Sequence, residues 1–444
     1  MSEQVVSEVC PTVRNRRRPL RPRHFVLVIY STVAVLAPAW AQDQPRRVTL
    51  DQALEMFEQN NLELRLAMAE RDAAKGLARQ AGSYPNPVFT WAHESLSEGD
   101  VDYSETYFTG SQRLEWPGRR GSRMKSADQD AIAAEARKES ERQRLRFEVR
   151  RAFLEAAAAE RQLAVIEEVR DVFRFAEESG RQRLREGDLS GYDVRRLRIE
   201  RARYENLAAS QSIAFRSAQL RFASLVLPES LDRDVVRIVP SALPEGQPPV
   251  IELEEGVALA SALEQRADAR AVEAEVAAAD AALRHVDTFR YPDLTVSGGY
   301  KRQSDGLDGL FLGASLPIPV FDRRQGDVEA AEAQLRLRTT QQALTRRTVE
   351  DEVRRALSSY LTLLERAELI QGQLLNGVDD LLSIAQVSYR EGEMSLLELL
   401  DAADAYRESQ SIFSEMTAEL WIRYYDLERA IGVLPSTNVA LEGQ

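Results

Sequence analysis

Chemistry in this chain rests almost entirely on carboxylates and guanidinium groups. It carries one cysteine, Cys10, and three histidines. Neither a disulfide framework nor a cysteine-ligated metal site can be built from that set. Outside the N-terminal leader only His93 and His285 remain, and a lone histidine is more readily structural or solvated than a ligand. The sequence has no phosphate-cradling glycine loop, no H-E-x-x-H zinc pattern and no G-x-S-x-G nucleophile elbow. It therefore reads as a non-enzyme without cofactor or metal site. Glu398 and Asp401 stand three residues apart, so a helix presents both on one face. Glu398 also comes after Ser395 at the S-x-x-E spacing, in which each side chain satisfies the other's backbone N–H.

Those residues need a helix start, and the surrounding stretch supplies one. Gly392 interrupts a long helical pattern in Ser388-Tyr389-Arg390-Glu391-Gly392-Glu393-Met394-Ser395, and Ser395 is suited to cap the next helix. The spacing predicts a tight turn between two long helices. The same turn occurs earlier, with Gly187 and Ser190 preceding Gly392 and Ser395 by 205 residues. Tyr84-Pro85 and Tyr291-Pro292 match at an offset of 207, and Arg119-Arg120-Gly121 matches Arg323-Arg324-Gln325-Gly326 at 204 to 205. A near-constant offset along 444 residues means two copies of one large unit. We place the first at 42–228, a proline-rich linker at 229–250, the second at 251–434 and a tail at 435–444.

The first 41 residues resemble a cleavable export signal, with arginines at 14, 16, 17, 18, 21 and 23 before an apolar core from Phe25 to Pro38. Ala39-Trp40-Ala41 supplies the small-x-small cleavage pattern; a short membrane anchor is the other reading. Cys10 precedes the apolar core, so it is not a lipid-anchor cysteine. The chain has a formal net charge of −13; the leader carries +4, which leaves −17 on the remainder. So acidic a chain is a poor nucleic-acid ligand, because phosphate binding needs clustered Lys and Arg.

Helical spacing covers 48–82, with Thr49 as N-cap, until Pro85 and Pro87 stop it. Residues 88–95 and 107–116 then alternate, with Phe89 and Trp91 on one strand matching Phe108, Leu114 and Trp116 on the other. A helix comes next, from about 119 to 185. Its seven-residue recurrence of Leu145, Ala152, Ala159, Ile166 and Phe173 is coiled-coil spacing. A third helix covers 190–227. The second copy repeats the plan: helix 253–288, a strand with Leu294, Val296, Gly298 and Tyr300 on one face, a return strand with Leu310, Leu312 and Ala314, a long helix 325–389 and a last helix ending near Ile431. The fold class is mainly α, long antiparallel coiled-coil helices with a small β part. Strands of about ten residues suit a tilted membrane crossing. Four strands cannot close a barrel, and open edges are costly in lipid, so membrane-embedded strands require several chains to share one barrel. The alternative is a small soluble sheet.

Here the chain resembles the TolC family of outer-membrane efflux and secretion channels. The matching residues are Leu50-Asp51-Gln52-Ala53-Leu54, Arg79-Gln80-Ala81-Gly82, Pro85-Asn86-Pro87, Leu316-Pro317-Ile318-Pro319-Val320-Phe321, Gln325-Gly326 and the run 389–401. The segment 315–321 and Leu114-Glu115-Trp116-Pro117-Gly118-Arg119-Arg120-Gly121 look most like its heavy-metal, CzcC-like branch. The resemblance implies a homotrimer in outer-membrane lipid with a twelve-stranded barrel and a periplasmic helical tunnel. It implies an exit duct of a tripartite efflux system, with a periplasmic adaptor protein and an inner-membrane transporter of RND type as partners. The outer channel of a type I protein-secretion system, or a periplasmic coiled-coil scaffold outside the membrane, are the alternatives. By the same resemblance, Gly187, Ser190, Gly392 and Ser395 belong to adaptor-facing tip turns, and Asp193, Tyr389, Glu398 and Asp401 to a pore constriction. The family's basic gate position is occupied here by Met394; Arg390 is the nearby candidate to replace it.

Overall fold

The computed structural model describes residues 46–228, 238–244, 246–251, 253–374 and 380–432. The leader, most of the linker's first half and the tail lie outside the described residues. Thr49 caps α1 (Leu50–Asn60) through a box with Gln52. The helix expected over 48–82 is broken, however. Asn61 turns to an extended conformation, ends α1 and caps α2 (Leu62–Ala81) with its side chain on the Leu64 N–H. The Asn61 amide also donates to the Leu225 carbonyl, a tertiary bond that no periodicity records. The helix expected over 253–288 breaks likewise, into α5 (Glu255–Gln265) and α6 (Ala267–Asp287), with Arg266 extended between them.

The hairpin strands are β2 (Val88–Glu98) and β3 (Val101–Leu114). The second strand begins six residues earlier than the sequence alternation suggests and stops before Trp116. Beyond it run α3 (Arg119–Glu186, 68 residues) and α4 (Gly191–Val226). At about 1.5 Å per residue α3 is roughly 100 Å long. Two three-residue strands, β1 (Arg46–Val48) and β4 (Ile238–Pro240), pair in parallel. The later half comprises α5, α6, a 3-10 turn over Thr288–Arg290, β5 (Leu294–Gln303), β6 (Asp308–Ser315), α7 (Gln325–Leu374), α8 (Leu381–Glu391) and α9 (Leu396–Ile431).

Of the heptad residues of α3, Leu145, Ala152, Ile166 and Phe173 are in the core, with Val149 and Ala156 between them, whereas Ala159 is only partly buried. But α3 also buries Phe153, Leu154, Ala157 and Val169, because it has neighbours on several sides: α2, α4, α6 and α9. The helices therefore form a wall rather than an isolated pair. In the half near the hairpin turns α3, α4, α8 and α9 bury one shared cluster.

The strands form one antiparallel sheet in the order β2-β3-β5-β6. Register aligns Trp91, Phe108, Tyr300 and Leu310 in one row, and Phe89, Gly110, Gly298 and Leu312 in the next. Paired residues share a face, so the expected apolar face is assembled. Nothing among the described residues covers it: Leu310 is 86% exposed and Leu312 91%. The opposite face carries Glu105, which binds Lys301 at 2.8 Å and accepts from Gln303 at 2.6 Å.

Sheet and helices meet at Asp293. Its carboxylate takes the Arg119 guanidinium, the Trp116 backbone N–H at 2.9 Å and Arg113 Nε at 2.8 Å. Arg119, only 3% exposed, also donates to the Thr288 carbonyl at 2.8 Å and to that of Tyr291. Removing one partner of a buried pair leaves the other charge uncompensated. Asp293→Ala should lower unfolding free energy by about 3–5 kcal/mol in a denaturant titration of the detergent-solubilised protein. Arg113→Ala, at a much more exposed partner, should cost about 1 kcal/mol or less.

Candidate functional site

The two hairpin turns are built by the same local chemistry. Gly187 closes α3 at φ 90° and Gly392 closes α8 at φ 81°. Both lie in the left-handed region, where an L side chain is strained. At each turn the glycine N–H caps carbonyls of the preceding helix, Arg183 and Leu184 in one case, Ser388 and Tyr389 in the other. A serine then starts the next helix. Ser190 Oγ accepts from the Asp193 N–H at 3.1 Å and donates to the Asp193 carboxylate at 2.6 Å. Ser395 Oγ accepts from the Glu398 N–H at 3.3 Å, while Glu398 Oε2 accepts from the Ser395 N–H at 2.7 Å.

Glu398 is thus a capping residue, as its spacing predicts. Hydrogen bonds from the Ser395 side chain and backbone hold its carboxyl below the ordinary range, so it is ionised at neutral pH with one oxygen committed to the helix. Asp401, one turn further, is exposed and has no ion pair among the described residues. The two carboxylates share a helix face but differ in freedom.

Tyr389 and Asp193 are not hydrogen-bonded to each other. Asp193 is engaged by Ser190, and the Tyr389 hydroxyl is buried without a partner. Burial raises the Tyr389 pKa; the Arg183 guanidinium opposes that shift and the Asp193 charge adds to it. Arg390 is exposed, and its Nε pairs with Glu391 at 2.9 Å. Met394 packs against the core near the turns. The basic residue on Tyr389 is Arg183, whose Nη1 donates to the Tyr389 carbonyl at 3.4 Å and whose guanidinium lies 5.9 Å from the ring centre. Sequence reasoning missed it because Arg183 sits on the other hairpin, 206 residues away. Arg183 also holds the two turns at one level.

A second omission is Glu177, 2% exposed. Burial opposes its ionisation, but hydrogen bonds from Arg198 and Arg181 and the nearby Arg201, at 2.9 Å, keep its pKa low. Two tyrosines tie the hairpins together higher up: Tyr204 donates to Asp404 and Tyr406 to Glu168, each at 2.8 Å. Among the described residues no group of three or more His, Cys, Asp or Glu is placed to hold a metal ion. No described helix is long and apolar enough to cross a membrane.

Known proteins share this architecture. Residues 258–433 match the family described as outer membrane efflux protein. The cobalt-zinc-cadmium resistance protein CzcC of Cupriavidus metallidurans is 24% identical over 382 residues, 85% of this chain and 88% of the relative. Outer membrane protein OprJ of Pseudomonas aeruginosa is 26% identical over 415 residues, 88% of this chain and 84% of that one. Among solved structures, the Campylobacter jejuni CmeC outer membrane channel superposes with a TM-score of 0.69 at 16% identity, covering 89% of this chain and 90% of that one. The chain is thus similar to outer membrane efflux proteins, and its fold is that of the solved outer membrane channel.

Gly392→Val forces a β-branched side chain into the left-handed region, at a cost of at least about 1–2 kcal/mol. Amide hydrogen exchange over residues 388–399 should accelerate accordingly, with exchange in α3 unchanged. Protection equal to that of the native chain would show that the turn does not need glycine.

Proposed function

We propose that this protein is the outer-membrane exit duct of a tripartite efflux system, conducting solutes passively from the periplasm to the outside. One observation carries the reading: a four-stranded sheet with an uncovered apolar face and two unpaired edges among the described residues, mounted on helices of up to roughly 100 Å. In lipid the apolar face needs no covering, but unpaired N–H and C=O groups are costly. Three copies, each adding four strands, would close a twelve-stranded barrel within the range of known membrane barrels. The stacked pair Trp116 and Tyr291, with ring centres 5.0 Å apart, stands where the strands leave the apolar band, as interfacial aromatics do.

In this reading the helices line a periplasmic tunnel and the two hairpin turns form its inner end. They face a periplasmic adaptor protein, which links the duct to an inner-membrane transporter of RND type. Energy comes from that transporter, since this sequence holds no nucleotide-binding loop. The names of the relatives CzcC and NccC, a nickel-cobalt-cadmium resistance protein, favour divalent heavy-metal cations as cargo. The internal two-fold repeat would supply each subunit with two hairpin tips, and Asp193, Tyr389, Glu398 and Asp401 would lie at the constriction. Threefold repetition makes Glu398 and Asp401 carboxylate rings, which attract and retain cations.

The mature protein should sediment with outer membranes and conduct in planar bilayers; a water-soluble monomer without detergent overturns the reading. Divalent cations added on the periplasmic side should block conductance, and Glu398→Ala with Asp401→Ala should relieve that block. For pH the sign follows from a depressed carboxyl. Glu398 stays charged above the ordinary value of 4.5, and its share of the block is lost only as pH falls through its lower folded value. Block in Glu398→Ala equal to that of the native chain at neutral pH would remove Glu398 from the constriction.

A further inference from the structure

Packed interiors leave few voids larger than a water molecule. A large exception lies midway along α3 and α9, where the two halves of the chain meet. It is a cavity of about 750 Å³ between α3, α7, α9 and residues 241–244 and 246–247, a size typical of small-molecule sites. The space is there because the apolar residues that α3 and α7 present to it are alanines, Ala157, Ala164 and Ala367. The apolar floor comes from α9: Phe413, Met416 and Leu420 share one helix face, and Met416 and Leu420 are buried. Such a stripe ordinarily packs a core, but no described residue fills the space in front of it.

The far side is tied down at two points. The Ser241 N–H donates to the Val48 carbonyl at 2.8 Å, and Trp421 Nε1 donates to that of Gly246 at 3.3 Å. Three charged residues line the cavity, Arg47, Glu160 and Arg161. Arg47 and Glu160 pair at 2.8 Å and neutralise one another. Arg161 has no ion pair among the described residues. Its Nη2 donates to Gln410 Oε1 at 2.9 Å, and Gln410 is only 4% exposed. A buried, neutral amide thus orients a guanidinium whose other N–H groups suit a planar oxyanion.

We propose that this cavity binds a small organic anion: an apolar body against Phe413, Met416 and Leu420, with a carboxylate or sulfonate on Arg161. The lining selects that class. An inorganic anion would leave the apolar floor uncovered, and an organic cation would meet Arg161 with no uncommitted carboxylate beside it. Divalent cations, the cargo argued above, carry the wrong charge for this site. The site uses residues of one chain only, so it stands or falls apart from the trimeric duct. A ligand seated there touches α3 from the first half and α9 from the second, and stabilises the native state by mass action.

The test uses the full mature chain in detergent, irradiated with benzophenone carboxylate as a photoreactive probe and mapped by peptide mass. Adducts should concentrate in 241–247 and 413–420 and saturate with probe. Excess naphthoate should suppress them, whereas naphthylmethylammonium, of similar shape and opposite charge, should not. Arg161→Gln, at an exposed position that folding does not need, should weaken probe binding about ten-fold, as loss of a charge-assisted hydrogen bond does. Ala164→Trp should fill the cavity and abolish labelling, with the melting temperature reporting that the chain is folded. Equal labelling of Arg161→Gln and the native chain, or equal suppression by the cation, would overturn the proposal. Adducts scattered along the chain without saturation would also overturn it, as partition into the micelle. So would labelling that appears only after trimers are dissociated, or only after residues 435–444 are removed, by assigning the cavity to a neighbouring copy or to the tail.

Discussion

Backbone hydrogen bonding at a sheet edge is the constraint from which the architecture follows. β2 and β6 each leave a row of N–H and C=O groups facing outward. Water can satisfy such a row, but hydrocarbon cannot. The apolar face of the same sheet, with Trp91, Phe108, Tyr300 and Leu310 in one row, would be unfavourable in water. In the proposed duct the apolar face lies in lipid and the edges pair with those of other copies, which satisfies both.

The helical part extends the logic over a far greater length. No single helix of the wall is apolar all round; α3 buries residues toward four neighbours and keeps arginines and glutamates between them. Such helices gain stability from tertiary packing rather than propensity. The turns that join them are specified by a left-handed glycine followed by a serine cap, so the chain reverses within a few residues at Gly187 and Gly392. At the other end Asp293 gathers Arg119, Arg113 and the Trp116 N–H. That node couples the direction of the strands to the direction of α3.

Much of this was legible in the residues. The turns at Gly187 and Gly392, the capping pair Ser395 and Glu398, the alternation of the strands and the heptads of α3 all depend on neighbours within about seven positions. Local spacing records such dependence. The breaks at Asn61 and Arg266 were not legible, because nothing in their helical periodicity marks them. Asn61 is committed to the Leu225 carbonyl and Arg266 to Glu352 and the Ala430 carbonyl. The start of β3 was missed because residues 101–106 carry charges and hydroxyls on a strand whose partners come from both sides.

The amino-acid sequence by itself determined most of the helical and extended segments, where the chain reverses at Gly187 and Gly392, and which strand face is apolar, since each follows from periods of two, three or four residues. Tertiary structure alone decided which basic residue meets Tyr389 and that Glu177 is buried among arginines. Those outcomes bring together groups as much as 206 residues apart, and no local repeat can encode a meeting between distant positions whose distance is set by packing.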